Sequence, residues 1–126
     1  MIRKFTVVIG TLLFVFGSLA SHTVMAGDVE KGEKVFRKCK ACHYVDQENN
    51  KTGPHLVGLF GRTAGSVEGY KYSAAMKDSG IVWSEDTLAE YLKAPKKYVK
   101  GTKMAFAGLK KDADLDNIIA YLKSFN

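Results

Sequence analysis

Three side chains that can do chemistry together lie in one short run, Cys39-Lys40-Ala41-Cys42-His43. Two thiols at this spacing lie about one helical turn apart, so both can form thioether bonds to the two vinyl groups on one edge of a porphyrin. The imidazole that follows can then bind the iron from one side. The C-x-x-C-H spacing is the attachment motif of c-type haem. It predicts one covalently bound haem c, with Cys39 and Cys42 as the thioether residues and His43 as an axial iron ligand.

Two other kinds of site use closely spaced cysteines. A structural zinc site needs four protein ligands, and after residue 26 the chain has two cysteines, two histidines and scattered carboxylates. A thioredoxin-like C-x-x-C motif belongs to a strand-helix context, and no strand pattern precedes Val35-Phe36. Both interpretations are therefore weaker than haem attachment.

A haem iron that only exchanges electrons also needs a sixth ligand, and the candidates are His55, Met76, Met104 and the lysines. His55 follows His43 by only twelve residues, which makes the opposite face of the iron difficult to reach. Met76 lies in a predicted helix, where a methionine is more often part of the core. Met104 follows Gly101-Thr102-Lys103 in a loop between two predicted helices, so its sulfur is free to approach the iron. The sequence therefore favours Met104.

The length and composition fit one small domain. The chain has 126 residues, 46% of them hydrophobic and 25% charged, and a net charge of +6. These values are ordinary for a single globular domain. They exclude a two-domain enzyme with a separate cofactor domain, and they give no sign of disorder or of a disulfide scaffold. The positive charge makes acidic partner surfaces plausible.

The first 26 residues have the pattern of a secretory signal peptide. Arg3 and Lys4 precede the uncharged run Phe5–Ala20, and small residues lead up to Ala26. The alternative is an uncleaved membrane anchor, but the run is shorter than the roughly 20 residues that a spanning helix needs. We expect cleavage after Ala26, export to a bacterial periplasm, no stable membrane insertion after cleavage, and a folded domain at residues 27–126.

Helical patterns alternate with long loops in the rest of the chain. Asp28 can cap a helix running to about Lys40, and Ser84 can cap one running to Lys93. Further helices are predicted at Tyr72–Ser79 and from a cap at Asp112, the last with Leu115, Ile118, Ile119, Leu122 and Phe125 facing inward. The segment 44–70 is a glycine-punctuated loop, and no segment alternates with a period of two. The prediction is an all-α fold whose short helices and long loop wrap around the haem, since long loops in small domains need something to organise them.

The stretch from Pro95 to Phe106 resembles the methionine loop of class I cytochromes c, above all their mitochondrial-type branch and its bacterial relatives. The similarity extends over nearly all of residues 27–126 and implies the class I cytochrome c fold. The other matching segments are Lys38–His43, Thr52-Gly53-Pro54, Leu59-Phe60-Gly61-Arg62, Gly69-Tyr70-Lys71-Tyr72-Ser73, Trp83, Tyr91-Leu92 and Tyr121-Leu122.

The resemblance also implies residue roles around the haem. The carbonyl of Pro54 would accept a hydrogen bond from the ring N–H of His43, which fixes the imidazole tautomer. The Tyr91 hydroxyl would reach the sulfur of Met104, and Phe106 would shield the exposed haem edge. The residues that would hold a buried haem propionate are Arg62, Tyr72 and Trp83.

Two positions depart from the family pattern. Lys100 replaces the proline that usually precedes Gly-Thr-Lys-Met, and Ala94 replaces the asparagine that usually precedes Pro95. A proline at position 100 would restrict the unfolded chain. We therefore expect the Met104 loop to open more easily here than in relatives that have the proline.

The resemblance implies a soluble one-electron carrier, not an enzyme, working between a quinol-oxidising cytochrome bc complex and a terminal oxidase. A His/Met ligand pair raises the reduction potential of the iron and leaves no open position for oxygen or peroxide. One alternative is a haem enzyme, either a peroxidase or a gas-binding cytochrome, which requires Met104 to be off the iron. Another is a dedicated redox partner of a periplasmic dehydrogenase.

Lysines indicate how such a carrier would meet its partners. Seven lysines and no carboxylate lie between Glu90 and Asp112. A simple solvated surface is the alternative interpretation, and nucleic acid is disfavoured because no recognition module is visible. We expect a monomer that docks on acidic surfaces of redox proteins through Lys38, Lys51, Lys96, Lys97, Lys103, Lys110 and Lys111.

Overall fold

The computed structural model describes residues 27–126, and the predicted signal peptide at residues 1–26 lies outside the described residues. Five helices follow one another: α1 (Val29–Phe36), α2 (Ala74–Lys77), α3 (Glu85–Lys93), α4 (Pro95–Tyr98) and α5 (Asp112–Lys123). This part of the chain contains no β-strand, only an isolated antiparallel bridge between Thr63 and Val82. The predicted all-α fold is confirmed. None of the helices in residues 27–126 has the length and apolar character needed to cross a membrane.

Helix α1 begins as predicted but ends earlier. The Asp28 side chain accepts a hydrogen bond from the backbone N–H of Lys31 at 2.9 Å, which caps the helix. The helix ends at Phe36 and not at about Lys40. Residues 37–42 form turns, in which the N–H of Cys39 bonds the Phe36 carbonyl at 2.8 Å. The C-x-x-C-H motif therefore lies on tight turns after the helix, because bonds to the third preceding residue tighten the backbone beyond α-helical winding.

Of the three middle helices, one has its predicted bounds, one is shorter than predicted, and one was not predicted. Helix α3 runs from its cap at Ser84 to Lys93 as predicted, and Ser84 and Thr87 form a reciprocal capping box. Helix α2 is shorter than the predicted Tyr72–Ser79, because the Ser73 side chain caps it. Helix α4 lies inside a segment predicted to be loop, and Pro95 is its first residue. The fixed φ of proline suits the first turn of a helix.

Helices α1 and α5 cross at close range. A side chain at Gly32 would place its Cβ 2.0 Å from the backbone oxygen of Asn117 and 2.6 Å from the Cβ of Tyr121, so only glycine allows this approach. Helix α5 begins at Asp112 with Lys111 at its cap position, one residue before the predicted cap. Phe125, predicted to face inward, is 40% exposed because it lies beyond the last helical turn.

The segment from 44 to 70 is a long loop without helix, as predicted. Backbone hydrogen bonds fasten it to the segment before α3: Gly61 N–H bonds the Trp83 carbonyl at 2.7 Å, and Trp83 N–H bonds the Arg62 carbonyl at 2.9 Å. The side-chain oxygen of Asn126 accepts from Phe60 N–H at 3.1 Å. These bonds place Arg62 and Trp83 next to each other at one side of a central cavity.

Candidate haem site

A cavity of about 270 Å³ lies between the long loop, the segment around Met104 and the helices α1, α2, α3 and α5. Its wall contains all ten residues for which the sequence predicted a haem contact or an iron bond. These residues are Cys39, Cys42, His43, Pro54, Arg62, Tyr72, Trp83, Tyr91, Met104 and Phe106. The fold thus brings together residues that lie up to 67 positions apart (39 to 106).

The two cysteines stand on one edge of this cavity. The N–H groups of Cys42 and His43 both bond the Cys39 carbonyl at 3.0 Å, which folds the motif into a single turn. The two cysteines form no disulfide with each other, and both are partly buried. Burial raises the pKa of Cys39 to about 11, against the opposing effect of Lys38. The thiol is therefore uncharged, which suits an apolar wall.

The ring of His43 is held by its neighbours in one orientation. Its Nδ1 lies 2.6 Å from the carbonyl oxygen of Pro54. Because a carbonyl only accepts, Nδ1 carries the proton and Nε2 has a free lone pair. Burial lowers the pKa of His43, and the charges of Arg62 and Lys51 act in the same direction, while the Pro54 bond opposes them. The imidazole is therefore neutral and able to bind a metal ion.

Gly53 makes room for this ring and was not singled out as a site residue from sequence. A Cβ at position 53 would lie 2.3 Å from Cε1 of His43. The only sequence signal was the place of Gly53 directly before Pro54. A glycine in a glycine-punctuated loop does not reveal which side chain it packs against.

On the Met104 side, the Tyr91 hydroxyl has a partner that the sequence did not predict. The Tyr91 hydroxyl lies 2.8 Å from the hydroxyl of Thr102, and it makes no hydrogen bond with the Met104 sulfur within residues 27–126. A thioether is a weak acceptor compared with an alcohol oxygen, and Thr102 lies only two residues before Met104. The Thr102 hydroxyl also accepts from Met104 N–H at 3.4 Å, so Tyr91 holds the loop through Thr102.

The other predicted candidates for the sixth ligand are now distinguished by position. His55 is not part of the cavity wall, and its Nδ1 accepts from Val57 N–H at 3.2 Å. Met76 is only 7% exposed and lines the same cavity as Met104. The wall therefore presents two thioethers, and Met104 as the iron ligand stays a prediction.

Polar groups gather in one corner of the otherwise apolar wall. The Arg62 guanidinium donates to the carbonyls of Val57 and His55 at 3.0 and 3.1 Å. The Tyr72 hydroxyl accepts from Val67 N–H at 3.2 Å, and burial raises its pKa, which keeps it a neutral donor. A cation and hydrogen-bond donors in a half-buried corner compensate the charge of a carboxylate taken out of water.

The predicted docking lysines occupy different positions around the cavity. Lys38 and Lys103 belong to its wall. The Lys51 ammonium lies 3.8 Å from the centre of the Tyr44 ring. Lys110 donates to the Ala107 carbonyl at 3.1 Å. The three others are exposed: Lys96 and Lys97 on α4 and Lys111 before α5.

The donor set fits haem c. Two thiols one turn apart would bond two vinyl groups, the neutral imidazole and the thioether would bind the iron, and the Arg62 corner would hold a propionate. Within the described 100 residues, no group of three or more His, Cys, Asp or Glu side chains could hold a metal ion, and no strand precedes the motif. The zinc and thioredoxin-like interpretations therefore have no structural support. When bound, the haem supplies an iron that gains and loses one electron.

Comparisons with known proteins agree with this site. Residues 29–126 match the family described as Cytochrome c. Cytochrome c-550 of Nitrobacter winogradskyi is 56% identical over 101 residues, which cover 79% of this chain and 93% of that protein. Cytochrome c of Gibberella zeae is 57% identical over 99 residues, covering 77% and 93%. The solved structure of cytochrome cH from Methylobacterium extorquens matches with a TM-score of 0.74 and 47% identity, covering 78% of this chain and 99% of that one. The chain belongs to the cytochrome c family, with the class I fold and covalently attached haem c, and is an electron carrier rather than an enzyme.

Proposed function

We propose that this cytochrome c carries single electrons in a bacterial periplasm, from a quinol-oxidising cytochrome bc complex to a terminal oxidase. The protein that does so is residues 27–126, after removal of the signal peptide behind Ala26. Similar relatives come from a bacterium and from a fungus, so the compartment rests on the N-terminal sequence alone. Mass spectrometry of the purified holoprotein tests this part, and a chain that starts at Gly27 is the expected result.

The observation that carries the proposal is that the cavity wall holds both a neutral imidazole at His43 and a thioether at Met104. His43 and Met104 would together hold the iron and would leave no position on it open to oxygen or peroxide. A His/Met pair also raises the reduction potential, as a donor to an oxidase requires. The chain's own part is to hold the haem, exclude water from it and keep its ligands in place.

Lysines at and near the cavity edge supply the docking surface of this proposal. Lys38 and Lys103 lie in the wall, and Lys96 and Lys97 are exposed on α4, directly before the Met104 loop. A positive surface around an electron-exit site steers the protein onto acidic partners. Such steering raises association rates by about 10- to 1,000-fold and weakens with added salt.

The experiment replaces Lys38, Lys96, Lys97 and Lys103 by Gln and follows oxidation by a terminal oxidase over a range of salt concentrations. We expect slower turnover at low salt, a flatter salt dependence and an unchanged haem spectrum. The control replaces Lys31, Lys34 and Lys123, of which Lys31 and Lys34 lie on α1 and Lys123 ends α5. If the control set slows the reaction more per charge removed, the docking face lies on the other side.

A further inference from the structure

Two stretches of chain lie side by side next to His43. One is the end of the haem-attachment turn, residues 40–44, and the other is residues 51–56 of the long loop. The hydrogen bonds that join them all have carbonyl acceptors. They link the Lys51 ammonium to Lys40 at 2.9 Å, Gly53 N–H to Cys42 at 2.9 Å, His43 Nδ1 to Pro54 at 2.6 Å and Leu56 N–H to Tyr44 at 2.8 Å. The bond that orients His43 is therefore one of a series, with the Lys51 bond at one end.

The Lys51 ammonium has two partners on the turn. Besides the Lys40 carbonyl, it contacts the face of the Tyr44 ring, whose centre lies 3.8 Å away. A cation in this position is attracted by the negative face of the ring. Lys51 is nevertheless exposed, so water competes with both contacts. The Lys51 end of the series is therefore where local opening begins.

Gly53 and Pro54 are poorly suited to hold their own position. Pro54 has no N–H with which to fasten its backbone. Gly53, although its N–H is bonded, has the greatest backbone freedom of any residue type, and a Cβ at this position would lie 2.3 Å from Cε1 of His43. The position of the Pro54 carbonyl therefore depends on how the two ends of the segment 51–56 are fastened.

We propose that Lys51 is a positioning residue: it fastens residues 51–56 to the haem-attachment turn and thereby keeps the Pro54 carbonyl on the ring of His43. That bond fixes the orientation of the imidazole and strengthens it as a ligand, so Lys51 acts on the ligand through Pro54. The proposal depends on His43 as an iron ligand, and it does not depend on the compartment or on the redox partners.

The test follows exchange of the His43 Nδ1 proton in deuterium oxide, by NMR of the reduced holoprotein. The proton is shielded while the Pro54 bond is closed and exchanges when the bond opens. Lys51→Gln should make this exchange about tenfold faster, because a charge-assisted hydrogen bond and a cation–π contact are lost at an exposed site. Lys51→Arg should stay near wild type, because a guanidinium also donates to a carbonyl and stacks on an aromatic ring. Tyr44→Leu, which keeps the Lys40 bond, should give a smaller acceleration.

The matched control is Lys40→Gln. It removes an exposed charge from the same turn but leaves the carbonyl that Lys51 binds, so the His43 proton should exchange at the wild-type rate. The amide of Ile118 in α5, which is 1% exposed, reports on unfolding of the whole domain and should exchange at the wild-type rate in every variant.

Three results would overturn the proposal. A wild-type rate at His43 in Lys51→Gln would mean that Lys51 does not hold the Pro54 bond. Equal acceleration in Lys40→Gln would assign the effect to lost charge and not to the contacts of Lys51. Equal acceleration at Ile118 would assign it to the stability of the whole domain.

Discussion

At the scale of single residues, the site depends on what is placed next to each ligand. His43 is oriented by the Pro54 carbonyl at 2.6 Å and has space only because position 53 is a glycine. The bond fixes which ring nitrogen is free, and an oriented imidazole is a stronger ligand than a free one. Met104 is held less directly. The Tyr91 hydroxyl bonds to the Thr102 hydroxyl, which in turn accepts a hydrogen bond from the Met104 backbone N–H.

Met104→Ala should leave the haem attached and lower its reduction potential. Cys39 and Cys42 hold the porphyrin, whereas the methionine sulfur favours the reduced iron. A potentiometric titration measures the potential, and carbon monoxide added to the reduced variant should now change its visible spectrum.

The matched control for this variant is Met76→Leu, because Met76 lines the same cavity and is also a thioether. It should keep the wild-type potential and its indifference to carbon monoxide. If Met76→Leu lowers the potential and Met104→Ala does not, the sixth ligand is Met76.

At the scale of elements, the crossing of α1 and α5 requires Gly32. In Gly32→Ala the new methyl group would meet the Asn117 backbone oxygen at 2.0 Å. Backbone atoms cannot rotate away, so the helices must separate, and the expected loss of stability is about 1–3 kcal/mol. Urea unfolding followed by circular dichroism measures the change. Glu33→Ala, an exposed neighbour on the same helix, should stay within about 0.5 kcal/mol of wild type; equal losses would mean that the crossing tolerates a side chain.

The Met104 loop should be made more resistant to opening by Lys100→Pro. Val99 has φ −118° and ψ 91°, which lies outside the α region that a following proline disfavours. Within residues 27–126 the Lys100 N–H makes no backbone hydrogen bond that proline would remove. Proline at a compatible position stabilises by about 0.4–1 kcal/mol. Since one pH unit corresponds to about 1.4 kcal/mol, the midpoint for loss of the Met104 bond at high pH should rise by about 0.3–0.7 units.

The measurement for Lys100→Pro is a pH titration of the sulfur-to-iron charge-transfer absorption. Lys100→Ala serves as the control, because it removes the lysine without restricting the backbone. If Lys100→Ala raises the midpoint as much as Lys100→Pro, the lysine side chain and not the missing ring controls loop opening.

At the scale of the whole molecule, residues 27–126 contain five helices of four to twelve residues, and four of them, α1, α2, α3 and α5, line the central cavity. Isolated helices shorter than about 12–15 residues are marginal in water, so they depend on packing. Phe36, Met76, Leu88, Tyr91, Ile118 and Leu122 of these helices line the cavity, and a bound haem would fill it. The protein part and the cofactor therefore form one folding unit.

The double variant Cys39→Ala with Cys42→Ala should accordingly yield an apoprotein with little helix and no cooperative unfolding. Loss of covalent attachment leaves a chain of this size without the centre of its core, and small domains have little stability to lose. Far-ultraviolet circular dichroism during thermal and urea unfolding measures this. A helical apoprotein that unfolds cooperatively would show that the polypeptide core is sufficient by itself.

The sequence by itself determined the features that depend on residues only a few positions apart. The C-x-x-C-H turn and the caps at Asp28 and Ser84 are local and lie where the sequence predicts, and residues 27–126 contain no strand, as predicted. The start of helix α4 also has a local signal, because proline is common at the first position of a helix. The lysine-rich composition around Pro95 nevertheless favoured the prediction of a loop.

Only the tertiary structure decided which distant residues meet. It placed the Thr102 hydroxyl beside the Tyr91 hydroxyl and Met76 in the cavity wall. Each outcome depends on a competition between partners far apart in the chain, which propensity and spacing do not rank.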